Sequence, residues 1–131
     1  MGQTVFISCE DLHQAAPLVA ALERRGATVV TSPTPGDDRW SDWYADGCRN
    51  QVQECDRFVA VVTGGYDSST WMAHEINIAT RLLSEIGRPT TFFFRLVSRP
   101  LPAGFKSYEL LARELPHVPD DAASVILEED R

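Results

Sequence analysis

Apolar and polar positions alternate in blocks along the chain, and the clearest block runs from Tyr66 to Gly87. At about 100° per residue, Trp71, Met72, Ile76, Ile78, Ala79, Leu82, Leu83 and Ile86 fall on one broad apolar arc. Ala73, His74, Asn77, Thr80, Arg81, Ser84 and Glu85 take the other side. Asp67, Ser68 and Ser69 are candidate N-caps for this helix, and Gly87 with Pro89 beyond marks its end. One residue breaks the pattern. Glu75 projects into the middle of the apolar arc, where a carboxylate must find partners or take up a proton. Two outcomes fit: a Glu bordering a crevice near the helix mouth, or a buried Glu hydrogen-bonded to backbone or to an Arg.

Shorter runs flank this helix. Thr4–Ser8 reads as a strand buried on both faces. Leu12–Arg25 reads as a helix ended by Gly26, with Pro17 tolerated if the helix starts near Gln14 and places it in the first turn. Ala27–Thr31 supplies a second strand, and Ser32–Arg39, with two prolines, a glycine and two aspartates, a loop expected to be mobile. The recurrence of Tyr44, Cys48, Val52 and Cys55 extends a helix over 40–56.

 Trp40 opens that segment at the same helical spacing. Arg57–Thr63 is the most hydrophobic strand candidate and the expected centre of a sheet, and Thr90–Val97 is a fourth strand. Beyond Ser98 the signal weakens: Ser107–Leu115 reads as a short helix, His117-Val118 as a vestigial strand, and Asp120–Glu129 as a last helix capped by Asp120 or Asp121.

Strand–helix alternation with short connections predicts an α/β fold, a parallel sheet of four to five strands with helices on both faces. With 131 residues the chain is expected to form one domain over 1–131. A net charge of −7 without a basic cluster disfavours nucleic acid and anionic membrane as partners. No apolar run reaches transmembrane length. Three cysteines fit a reducing cytoplasm, and their spacing, without a Cys-x-x-Cys pair, argues against a metal site. No Gly-x-Gly-x-x-Gly, Walker or Gly-x-Ser-x-Gly motif occurs, so the ordinary phosphate cradles and the serine-hydrolase elbow are missing.

In such folds ligands bind outside the carboxyl ends of the strands. That rim is expected to gather Ser8, Cys9, Asp37, Asp38, Trp40, Tyr66, Ser69 and Glu75. Hydroxyls, carboxylates and aromatic faces together suit a ligand built of sugar and base.

Three stretches carry a family resemblance. Val-Phe-Ile-Ser (Val5–Ser8), Pro35-Gly36 followed by Trp40, and Val59–Thr63 with Tyr66 and Ser69-Thr-Trp-Met-Ala-His-Glu75 occur in order. They resemble the first box, the long loop after the second strand, and the Ser-x-Trp-Cys-x-x-Glu box of bacterial Toll/interleukin-1 receptor (TIR) domains, from about Thr4 to at least Val97. Cys9 stands where an aromatic or histidine is common, and Met72 replaces the usual cysteine. The resemblance implies a flavodoxin-like TIR fold and an enzyme that cleaves the nicotinamide–ribose bond of NAD+, with Glu75 catalytic. It implies substrate contacts from Phe6, Ser8, Cys9, Asp38, Trp40, Tyr66, Ser69 and Trp71, with NAD+ as substrate and no cofactor or metal. It further implies a stand-alone subunit similar to the NAD-cleaving TIR subunits of Thoeris-like anti-phage systems, self-associating or meeting other TIR domains, beside a separate effector that responds to its product.

Two other readings stay open. A non-catalytic TIR interaction module predicts self-association without NAD+ turnover. A nucleoside deoxyribosyltransferase-like enzyme predicts base exchange on deoxynucleosides. Between hydrolysis to ADP-ribose and cyclisation the residues do not choose.

Overall fold

The structure is a computed structural model that describes residues 3–9, 12–31, 47–62, 70–95 and 112–127. Five strands form its centre: β1 (Thr4–Ser8), β2 (Thr28–Thr31), β3 (Arg57–Val62), β4 (Thr90–Arg95) and β5 (Ala112–Glu114). Among the described residues four helices accompany them: α1 (Leu12–Arg24), α2 (Cys48–Glu54), α3 (Thr70–Ile86) and α4 (Pro119–Leu127). The sheet order is β2-β1-β3-β4-β5, and every neighbouring pair is parallel. This is the flavodoxin-like order, with its topological switch point between β1 and β3.

β3 lies in the middle, as its composition predicts, and all six of its residues are buried. Helices cover both faces. Glu75 of α3 meets Ser8 on one face, while Arg57 meets Ile126 of α4 on the other. α1 packs with α4, and α2 packs with α3. Strand alternation then sorts the core: Phe6, Ser8, Phe58 and Ala60 face α3, and Val5, Ile7, Arg57 and Val59 face α4. Phe6 and Phe58, paired in register, stack with their ring centroids 5.3 Å apart.

Local chemistry explains where α1 ends. Gly26 has φ +89°, a left-handed conformation that glycine adopts without steric cost. The amide of Ala27 donates to Leu22 O at 3.1 Å and that of Gly26 to Glu23 O at 3.0 Å. These are the paired bonds of a Schellman cap. Gly87 closes α3 in the same backbone region, with φ +78°.

Several expectations need correction. α1 begins at Leu12, so Pro17 is its sixth residue and sits inside the helix, exposed, rather than in the first turn. α2 stops at Glu54; Asp56 instead joins the strands, exchanging backbone bonds with Thr4 and Thr90 while its carboxylate accepts from the Thr4 amide at 3.0 Å. The short helix expected through Leu115 is replaced at 112–114 by β5, which pairs with β4 from Thr91↔Ala112 to Phe93↔Glu114. Ala-Arg-Glu prefers helix, and the open edge of β4 overrides that preference. His117 and Val118 form a bend, not a strand. α4 opens on Pro119, which puts Asp120 and Asp121 in its first turn, where they complement the helix dipole rather than cap it. The loop Ser32–Arg39 and the helix caps Asp67, Ser68 and Ser69 lie outside the described residues.

Candidate functional site

The site is built where β1 ends and α3 begins. Ser8 is the last residue of β1, fixed on one side by β3 through the pairing Ser8↔Ala60. Glu75 is the sixth residue of α3, in its second turn. Both are buried with 0% exposure. The Ser8 hydroxyl donates to Glu75 Oε1 at 2.8 Å, a bond that spans 67 positions of sequence. The helical wheel places Glu75 toward the core, and the structure agrees. One of its partners is the Ser8 hydroxyl.

The rest of α3 follows the wheel in part. Ile76, Ala79 and Leu82 are buried, and Ile78 and Leu83 are half-buried. Ile86 is exposed at the helix end. Thr80 departs from the expected polar side: it is buried and returns its hydroxyl to Ile76 O at 2.9 Å, a bond from residue i to i−4 that satisfies a buried threonine. His74 is half-buried rather than solvent-facing.

Of the residues expected at the rim, Ser8, Cys9 and Glu75 are described, and Ser8 and Glu75 come together. Cys9 follows β1 directly and is buried. Phe6 lies on the Ser8 face two residues deeper, fully buried and stacked on Phe58, so it forms the floor beneath the pair. The backbone of Trp71 belongs to the first turn of α3, while its side chain, like Asp37, Asp38, Trp40, Tyr66 and Ser69, lies outside the described residues.

Geometry locates this pair at the carboxyl end of β1, beside the switch point between β1 and β3, where folds of this type open a crevice for ligands. Chemically, it offers a carboxylate in a low-dielectric setting, with a neutral donor on one oxygen. Such a group stabilises a cationic centre more strongly than it would in water.

Against models of protein families, residues 5–121 match the TIR domain. The chain belongs to the TIR domain family. Among curated proteins, none matches it. The TIR match spans β1 through the start of α4, so it covers the Ser8–Glu75 pair and every strand of the sheet. Family membership supports a signalling or NAD-cleaving role. Among the described residues, no group of three His, Cys, Asp or Glu side chains is placed to hold a metal ion, and no helix is long and apolar enough to cross a membrane.

Residue-by-residue reading missed one contact at the candidate site, the bond from Ser8 to Glu75. The signal that could have found it is topological. A parallel sheet covered by α3 sets the C-terminal residue of β1 against the early turns of that helix, where a hydroxyl can donate to Glu75.

Proposed function

We propose that this TIR domain cleaves the nicotinamide–ribose bond of NAD+, as the signal-generating subunit of a bacterial anti-phage system of the Thoeris type, working in the cytoplasm beside a separate effector. The observation that carries the reading is a fully buried carboxylate, Glu75, held by Ser8 at the ligand-binding end of the sheet. It occupies the position of the catalytic glutamate in the TIR motif that ends at Glu75.

The chemistry needs little else from the protein. Nicotinamide in NAD+ is already cationic and leaves with the bonding pair as a neutral base, so no acid must protonate it. The anomeric carbon is left as an oxocarbenium centre, which the Glu75 carboxylate stabilises electrostatically. Water attacks that centre and loses a proton, giving ADP-ribose, nicotinamide and H+. Capture by a nucleophile within the substrate gives a cyclic ADP-ribose isomer instead. Glu75 is covered in the isolated chain, so a substrate reaches it only when that cover shifts. Association of TIR subunits supplies a reason for such a shift, and it predicts activity per molecule that rises with protein concentration.

The test is incubation with NAD+ from dilute to crowded protein, with chromatography of the products. Nicotinamide should appear together with ADP-ribose or a cyclic isomer, at a specific rate that increases with concentration. The same burial favours a second reading, in which the Ser8–Glu75 pair only packs β1 against α3 in an assembly module. Self-association with no nicotinamide in any assembled state would establish that module. Base exchange on deoxynucleosides, with indifference to NAD+, would establish the deoxyribosyltransferase-like alternative.

A further inference from the structure

We infer that Ser8 is a positioning residue for Glu75, acting on the reaction through the carboxylate and not through the substrate; this rests on the NAD+-cleaving reading above. A serine hydroxyl has one proton, and in this structure it is directed at Glu75 Oε1 at 2.8 Å. While that bond holds, the same proton is not available to a ribose hydroxyl.

The support beneath Ser8 is rigid. β1 is flanked by β2 on one side and β3 on the other, and the Phe6–Phe58 stack fills the layer below on the same face. A short side chain on such a strand has one rotatable bond to its hydroxyl. Glu75 has three side-chain torsions, and anchoring Oε1 removes much of that freedom before a substrate arrives.

The donor is also of the right kind. A neutral hydroxyl orients the carboxylate it bonds without adding a charge of its own.

The experiment compares wild type with Ser8→Ala, Ser8→Cys and Ser8→Thr under conditions where the wild type turns over NAD+, with circular dichroism as the check on folding. Ser8→Ala should lower kcat by roughly tenfold to a hundredfold, the worth of one charge-assisted hydrogen bond, and leave KM for NAD+ within about twofold. Ser8→Cys keeps the volume but has only a weak donor, and it should follow Ser8→Ala. Ser8→Thr restores the hydroxyl and should recover most of the kcat. A raised KM with kcat intact in Ser8→Ala would mean that Ser8 touches the substrate, overturning the inference while NAD+ cleavage stands. Equal losses in Ser8→Thr and Ser8→Ala would assign the effect to packing and overturn it too. No nicotinamide from the wild type in any assembled state would instead overturn the function on which the inference rests.

Discussion

Among the described residues, each face of the sheet buries one long ionisable side chain, and the two make different contacts. Toward α4, Arg57 is 6% exposed. Its Nε donates to Ile126 O and its Nη1 to Asp56 O, each at 3.0 Å. Ile126 lies in the last turn of α4, where helix carbonyls have no partner within the helix. The guanidinium therefore caps that helix and complements its dipole. Toward α3, Glu75 accepts from a side-chain hydroxyl, that of Ser8. Arg57 opens β3, at the amino end of the sheet, whereas Ser8 closes β1 at the carboxyl end. Equal burial thus goes with different contacts: Arg57 satisfies backbone carbonyls, one of them at a helix end, and Glu75 takes a side-chain hydroxyl at the carboxyl end of β1.

Glu75→Gln is the sharpest way to break this contrast. The amide keeps an oxygen that accepts from Ser8 but lacks the charge, so nicotinamide release should fall by about 10²–10³. The fold, followed by circular dichroism, should stay intact with an unchanged or raised melting temperature, because a desolvated charge has been removed. Wild-type turnover surviving in this variant would remove Glu75 from the chemistry.

Arg57→Met should show the opposite signature. Leaving the Ile126 carbonyl without its donor should cost about 1–3 kcal/mol in urea unfolding, with kcat per folded molecule unaltered. Cys55 provides a third buried group and a smaller effect. Burial first, then the neighbouring charges of Asp56 and Glu54, push its thiol up from 9.0 to about 11, and the thiol donates to Gln51 O. Between those values the unfolded chain loses the proton and the folded chain keeps it, so stability should decline as pH rises from about 9 to about 11. In the folded protein, Cys55 should resist alkylation at pH 8, as mass mapping would show, since the thiolate is the nucleophile. The smallest effect is expected at the surface, where Arg24 and Asp120 pair at 2.9 Å with both side chains more than half exposed. Asp120→Ala should shift stability by no more than about 1 kcal/mol; a larger loss by thermal melting would show that the ion pair, rather than Arg57, fastens α4.

Much of this was legible in the chain itself. β1, β3 and α3 follow from unbroken apolar runs and helical periodicity, and Gly26 and Gly87 fix helix ends through a backbone geometry that other residues resist. Glu75 stood out because a carboxylate interrupts an otherwise apolar arc, and the arc alone was enough to place it inward. β5 was not legible. Its three residues carry no strand signal, and their state is decided by hydrogen bonds from β4, such as that from the Leu115 amide to Phe93 O at 2.8 Å. Thr80 was misjudged for a related reason: its hydroxyl is satisfied by its own helix, so its polarity does not forbid burial.

By itself the sequence determined the alternation of strands and helices, and with it the parallel sheet, because hydrophobic period and chain-breaking residues are local properties. It also singled out Glu75. Only the tertiary structure decided what Glu75 meets, which face Arg57 serves and that 112–114 becomes an edge strand. Each of these depends on pairing between distant segments, over 67 residues for Ser8 with Glu75 and 69 for Arg57 with Ile126. No local pattern encodes such a meeting; the register of the sheet and the packing of helices across it do.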